Sequence, residues 1–272
     1  MNINEALSMG TKAIGKHEAR LLLSHITGLS PAEIIISTNK PLDEKAIGAF
    51  LTSVKRREAK EPLQYIMGTW EFMGLEFITD SRALIPRPET ELLVEEAIAY
   101  IHKLCRPAKI LDVCTGSGCI AVAIAKLTDA EVTAIDISPD ALALAAQNAA
   151  LHQLQDRIKF VQSDLLHGFE SQVFDIIVSN PPYIPTGEIG SLQPELCHEP
   201  ILALDGGPDG LDLYRQLIPQ SMKYLSPGGV LLLEIGPQAV ETIMFEAGYG
   251  MIRTIKDYAG LPRIVIGVQH NL

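Results

Sequence analysis

Apolar residues recur at helical spacing over roughly the first 60 positions, then give way to short β-branched runs that alternate with helical stretches. In the first region Leu7, Ala13, Ile14, Leu21, Leu22 and Ile26 keep helical spacing, and Gly28 is placed to cap a C-terminus. Ser30-Pro31-Ala32-Glu33 reads as a capping box with proline in the first turn, opening a short helix through Ile36. Residues 43–60 predict another helix, with Ile47, Phe50, Leu51 and Val54 on one face, and Glu61-Pro62 stops it. Short helices without a catalytic constellation point to an all-α recognition domain over 1–62. Trp70-Glu71-Phe72 and Leu75-Glu76-Phe77 alternate about Met73-Gly74, which predicts a β-hairpin within a linker at 63–84. Residues 85–91 then open a helix to about Lys103, striped by Val94, Ala97, Ile98 and Ile101.

From Lys109 the apolar runs predict strands at 110–113, 132–137, 158–161, 174–178, 230–235, 251–255 and 264–268. Helices are predicted between them at 119–127, 141–152, 211–225 and 238–247, the second capped by Ser138-Pro139. Apolar strands alternating with helices make a parallel sheet covered on both faces. The last two strands are joined only by 257–262, too short for a crossover, so they pair antiparallel. The expectation is an α/β domain over 85–272 with a seven-stranded, mostly parallel sheet ending in an antiparallel hairpin.

Composition narrows the possibilities. With 272 residues, 47% of them hydrophobic, the chain can fill two domains. A net charge of −11 weighs against tight non-specific nucleic-acid binding, which needs cations to displace counterions. Cys105, Cys114, Cys119 and Cys197 form no CxxC pair and no metal-ligand spacing with histidine, so free thiols and no metal are expected. There is no signal-peptide pattern at Met1-Asn2-Ile3-Asn4-Glu5 and no apolar stretch near the ~18 residues of a membrane span, so a cytoplasmic protein is expected. The basic run Lys55-Arg56-Arg57-Glu58-Ala59-Lys60 reads as a solvated helix end, with a docking site for an acidic or RNA-associated partner as the alternative.

The chemistry concentrates at two strand ends. Ser179-Asn180-Pro181-Pro182-Tyr183 follows the run 174–178. Two prolines cannot donate to a ladder, so the chain must leave the sheet at this strand's C-terminal end, where open α/β sheets bind ligands. The Asn180 amide oxygen beside the Pro181 carbonyl would trap an NH2 group, and the Tyr183 ring offers a flat wall. The other strand end is Asp112-Val113-Cys114-Thr115-Gly116-Ser117-Gly118, a glycine turn that lets backbone approach a ligand. Asp136 ends the next strand and can accept both hydroxyls of a ribose. Asp164 could accept from an adenine amino group with Leu165 beside the ring, or could instead cap the next segment. These features point to a nucleoside-containing cofactor, NAD or S-adenosylmethionine, and the Asn-Pro-Pro-Tyr turn, which offers no hydride partner, favours the second.

The chain resembles the HemK-like release factor glutamine methyltransferases, within the class I S-adenosylmethionine-dependent methyltransferases. The marks are 61–68, Leu84-Ile85-Pro86-Arg87-Pro88-Glu89-Thr90-Glu91, 112–118, Asp136-Ile137-Ser138, Asn180-Pro181-Pro182-Tyr183, Glu199-Pro200, Glu234-Ile235-Gly236 and Arg263-Ile264-Val265. The resemblance implies a Rossmann-like methyltransferase sheet, and methylation of the glutamine side-chain nitrogen in the Gly-Gly-Gln loop of class I peptide chain release factors. It implies a cofactor site of Asp112, Cys114, Thr115, Gly116, Ser117, Gly118, Asp136, Ile137, Asp164, Leu165 and Asn180, and a catalytic turn of Asn180, Pro181, Pro182 and Tyr183. Leu165 departs from the aromatic that many relatives carry there. Asp112 reads as orienting its loop rather than as a base. The Gly- and Pro-rich stretch 184–210 reads as a wall or lid over the target amide, with Glu195, Glu199 and Asp205 solvated or orienting the loop. No membrane or stable nucleic-acid partner is expected, and nothing demands more than a monomer. Two alternatives stand beside this reading: a methyltransferase acting on adenine N6 or another nucleic-acid amino group, and a non-catalytic translation-associated binding module.

Overall fold

The computed structural model describes residues 1–168 and 172–269. Its chain divides into two compact units, 1–69 with 193–198, and 70–192 with 199–272.

The first unit is helical. It contains α1 (Ile3–Ile14), α2 (Lys16–Thr27), α3 (Pro31–Ile36), α4 (Glu44–Glu58) and α5 (Leu63–Met67). Both halves of the Ser30–Glu33 capping box form, Pro31 occupies the first turn, and Gly28 is left-handed. Ile3, Leu22, Leu23, Ile34 and Phe50 are fully buried together, each such side chain worth about 1.5–3 kcal/mol of burial. Gly10 lets α1 close on this core, since a Cβ there would meet Phe50 Cζ at 2.7 Å and Ala19 Cβ at 2.9 Å. Helix α5 corrects the expectation of hairpin linker from residue 63. Its five residues are too few to show a helical period, and they form a helix because Leu63 is buried in this core. Two of the four basic side chains of the run are paired within the unit. Arg56 makes a two-pronged pair with Glu61, and Arg57 pairs with Glu18 at 2.7 Å and Glu195 at 2.8 Å. Glu195 is thus an ion-pair partner.

The second unit begins at Trp70, within the hairpin of β1 (Thr69–Phe72) and β2 (Leu75–Ile78). Met73 and Gly74 both have positive φ, the backbone a tight two-residue hairpin needs. There follow α6 (Pro88–Ile101), β3 (Lys109–Val113), α7 (Cys119–Leu127), β4 (Glu131–Asp136), α8 (Pro139–Leu151), β5 (Ile158–Gln162) and β6 (Phe174–Ser179). Last come α9 (Asp212–Ser221), β7 (Leu225–Glu234), α10 (Val240–Glu246), β8 (Tyr249–Lys256) and β9 (Pro262–Gln269). The seven-stranded sheet runs β5-β4-β3-β6-β7-β9-β8, parallel as far as β7. Strand β9 lies antiparallel between β7 and β8. Strand β7 starts five residues before the predicted 230 and α9 stops short of 225, because a bulge pairs Leu225 with Phe174.

Successive strand residues feed opposite layers. Ile176, Val178 and Leu232 pack with α6 and α7, whereas Ile177, Leu231 and Leu233 pack with α9 and α10. The order reverses at β3, whose neighbours β4 and β6 leave on opposite sides, so β3 and β6 flank the switch point where a crevice opens at the strand C-termini. Among the described residues no helix is long and apolar enough to cross a membrane, and no His, Cys, Asp and Glu cluster could hold a metal.

Candidate active site

Both motifs emerge at this switch point. Val113 and Ser179 are partners in register, and the Ser179 hydroxyl donates to the Val113 carbonyl at 2.7 Å. The loop after β3 and the turn after β6 therefore start side by side.

The glycine loop is held from behind. Thr115 N–H donates to Ile135 O, and the Thr115 hydroxyl donates to Asp112 Oδ2 at 2.6 Å. Asp112 is fully buried, and burial pushes its carboxyl up to about 7 against the pull of Thr115. The Ala121 amide favours its charge but makes no well-formed hydrogen bond to Oδ1. Gly118 is a packing glycine: a Cβ there would lie 2.9 Å from Ala145 Cβ on α8. The fully buried Asn148, also on α8, donates to Ser117 O and exchanges hydrogen bonds with the Ile78 backbone, tying loop to hairpin. Asp136 accepts the Gly116 and Ser138 amides, each at 2.9 Å. Its burial raises its pKa while those amides lower it.

A cleft of about 160 Å³, partly open to solvent, lies in front of this frame. Of the sequence-predicted residues, Cys114, Thr115, Gly116, Ser117, Asp136, Ile137, Asp164, Leu165, Asn180 and Pro182 line it. Asp112, Gly118, Pro181 and Tyr183 are not among the residues that line it. Cys114 and Leu165 hold left-handed backbone at φ 58° and 48°, strain concentrated on the cleft wall. Burial raises both the Cys114 and Cys119 thiols, Cys119 to about 12, so neither is a nucleophile. The cleft suits a nucleoside cofactor on its own features: exposed Ile137 adds apolar surface to a wall that the carboxylates Asp136 and Asp164 also line.

The turn after β6 is fixed by groups far away in sequence. Gln238 Nε2 donates to Tyr183 O at 2.8 Å. A Cβ on Gly206 would fall 2.7 Å from Tyr183 Cα, and one on Gly210 2.3 Å from Tyr183 O, so backbone packs on backbone. The segment 184–210 contains short 3-10 turns, and Pro200, Leu202 and Ala203 complete the cleft wall. Asp205 caps its own turn through Thr186 and the Gly207 amide. Glu199 is buried, accepts the Ile85 amide at 3.0 Å and pairs with Arg87 at 2.5 Å.

Each polar residue of the segment Arg87-Pro88-Glu89-Thr90-Glu91 that the structure ties down has a distant partner. Arg87 holds Glu199, the Thr90 hydroxyl donates to Glu234 Oε2 at 2.6 Å, and Glu91 accepts the Met73 amide. Asn180 Nδ2 lies 3.4 Å from Thr90 Oγ1. Arg87 and Thr90 both line the cleft, a role that the sequence pattern did not assign; the nearest signal was their place in a motif at a helix start.

The family described as Methyltransferase small domain matches residues 89–199, and the PrmC N-terminal domain matches residues 5–68. A release factor glutamine methyltransferase of Geobacter sulfurreducens is 44% identical, covering 92% of this chain and 88% of that protein. Among solved structures, the catalytic domain of hMettl16 in complex with an MAT2A 3'UTR hairpin superposes with a TM-score of 0.59 at 16% identity, covering 84% of this chain and 83% of that one. The T. thermophilus 16S rRNA N2 G1207 methyltransferase (RsmC), in complex with AdoMet and guanosine, gives 0.54 at 21% identity, over 74% of this chain and 50% of that one. At such identities the structural likeness speaks to the fold, a Rossmann-like methyltransferase sheet.

Proposed function

The chain belongs to the release factor glutamine methyltransferase family, and from that membership we propose that it methylates the side-chain nitrogen of the glutamine in the Gly-Gly-Gln motif of class I peptide chain release factors. The methyl donor is S-adenosylmethionine. The observation that carries the proposal is one cleft lined jointly by Gly116 and Asp136 on one side and by Asn180 and Pro182 on the other.

When bound, S-adenosylmethionine supplies a methyl group already activated on a sulfonium. Asp136 would hold the ribose hydroxyls, since its carboxylate has lone pairs beyond those the two amides take. Asp164 would accept from the adenine amino group, and Ile137 and Leu165 would flank the ring. A glutamine amide nitrogen is a poor nucleophile because its lone pair is delocalised into its carbonyl. The protein's task is therefore alignment, which can contribute about 7–11 kcal/mol relative to free encounter. Asn180 Oδ1 and the Pro181 carbonyl each accept one hydrogen of the NH2. This favours the pyramidal nitrogen of the transition state and stabilises the positive charge that develops there. Pro182 packs against the flat amide, while Tyr183, held by Gln238, braces the turn. No strong base is needed, because methylation acidifies the nitrogen enough for it to shed a proton to water. The N-terminal helical unit serves to recognise the release factor, and the enzyme acts as a cytoplasmic monomer.

Mass spectrometry of a release factor incubated with the enzyme and cofactor tests this. The expected result is a gain of about 14 Da, one transferred CH2, on the glutamine of the factor and none on a Gly-Gly-Ala variant. Asn180→Ala should lower kcat about 10³-fold or more with cofactor affinity near wild type. Label on duplex DNA and none on the factor would overturn the proposal in favour of a nucleic-acid amino methyltransferase. An unchanged Asn180→Ala rate would remove that residue from the chemistry.

A further inference from the structure

Two buried polar groups adjoin Asn180, one directly and one through the other, and have no part in the chemistry above. Thr90 and Glu234 are each about 2% exposed, and their side chains are 2.6 Å apart. A hydroxyl has one hydrogen, and beside a carboxylate that hydrogen goes to the carboxylate. The lone pairs left on Thr90 Oγ1 can only accept, and the donor that reaches them is Asn180 Nδ2, at a long 3.4 Å.

This chain of contacts matters because an asparagine amide is nearly symmetrical in shape. Turned one way it offers an oxygen to the cleft; flipped, it offers an NH2. Against an incoming carboxamide NH2 the flipped form sets donor against donor and leaves buried hydrogens unpaired. Anchoring the Asn180 nitrogen at Thr90 selects the accepting orientation. We propose that Thr90 and Glu234 act as a positioning pair that holds the Asn180 amide with its oxygen toward the substrate nitrogen. The inference rests on the reading of the chain as a glutamine methyltransferase and assigns a role to residues which that reading leaves idle.

The pair also carries a condition. If Glu234 takes a proton, that proton lies between it and Thr90, and the Thr90 hydrogen turns toward Asn180, where it favours the flipped amide. Burial pushes the Glu234 carboxyl up to about 7. The Thr90 hydroxyl, Arg263 on β9 and Arg87 before α6 pull it down, while Glu89 in the first turn of α6 pushes it up. Cys119, Tyr183 and Tyr214 also face it and are neutral in this range, their own pKa values being raised. The accepting orientation is therefore expected to strengthen as pH rises through neutrality.

The test compares full-length wild type, Thr90→Val, Thr90→Ser and Glu234→Gln. Thr90→Val should lower kcat about tenfold, the value of one well-placed hydrogen bond, with a smaller change in S-adenosylhomocysteine affinity; the thermal midpoint should fall as well, because the buried Glu234 carboxyl loses its hydroxyl partner. Thr90→Ser, which restores the hydroxyl, should recover most of that loss. In wild type the side-chain NH2 resonances of Asn180, assigned by loss in Asn180→Gln, should move with a midpoint near pH 7, and in Glu234→Gln they should stay still. Thr90→Val within twofold of wild type, Thr90→Ser as impaired as Thr90→Val, or resonances that move equally in Glu234→Gln would each overturn the proposal. A wild type that leaves the release factor unmethylated would overturn the functional reading alone, since the resonance experiment needs no turnover.

Discussion

The two edges of the central sheet treat buried carboxylates in opposite ways. At the N-terminal end of β6, Asp175 receives both prongs of Arg106 at 2.6 and 2.7 Å, the Lys109 amide at 2.9 Å and the Ser226 hydroxyl at 3.1 Å. Arg106 leads the influences that hold its pKa below the ordinary carboxylate range. At the C-terminal end, Asp112, Asp136 and Glu234 have only hydroxyl or amide donors among the described residues, and burial raises all three. An edge that only has to hold strands together can neutralise its charge internally. An edge that must take hydroxyls and amines from a ligand keeps acceptors whose partners are neutral, at a cost in stability.

The contrast breaks most visibly at Asp136. If its role is to accept ribose hydroxyls, Asp136→Asn should weaken S-adenosylhomocysteine binding about 100-fold, since hydrogen bonds to charged groups are worth about 1.5–3 kcal/mol each. Calorimetric titration reads this directly. Affinity within threefold of wild type would show that the carboxylate serves only the Gly116 and Ser138 amides.

Asp112 sharpens the comparison through pH. Its folded pKa stands above its unfolded value, so the native state binds the extra proton. Its contribution to stability is then complete below about pH 4 and is lost as pH rises through about 7. Without ligand, the enzyme should lose stability from pH 5 to pH 8, by an amount of order a few kcal/mol. Asp112→Asn cannot ionise and should flatten that slope, measured as urea-unfolding free energy against pH. An unchanged slope would mean that other groups carry it.

What could be read from the sequence was what is local. The Ser30 capping box, the left-handed Gly28, the hairpin at Met73-Gly74 and the exit of Asn180-Pro181-Pro182 from its strand are each written within a few residues. The alternation of strands and helices carried the sheet, and the short 257–262 loop carried its antiparallel end. Hidden were the pairings that aim the site. Glu199 with Arg87, Glu234 with Thr90 and Gln238 with Tyr183 lie 112, 144 and 55 residues apart, so no spacing rule reaches them. The start of β7 was hidden for a different reason: Pro227-Gly228-Gly229 looks like a loop, yet a bulge carries the strand through it.

The smallest expected effect tests the other edge. Because Arg106 holds the Asp175 pKa down, the pair contributes stability above the unfolded carboxylate value and loses it as pH falls through the folded one. The guanidinium is more than half exposed, so solvent screens much of its attraction and the loss in Arg106→Ala should be modest at neutral pH. The gap to wild type should narrow as the medium is acidified through the depressed pKa of Asp175, where its carboxyl takes a proton and the ion pair is lost. Arg106→Lys keeps the charge but cannot reproduce the two-pronged contact, and should fall between them. Both gaps therefore widen as pH rises, but with opposite sign: Arg106→Ala falls below wild type, whereas Asp112→Asn gains on it. Urea midpoints for Arg106→Ala that stay equally far from wild type at neutral and acid pH would show that Arg106 acts by packing, and that the charge contrast between the two edges has no energetic content on this side.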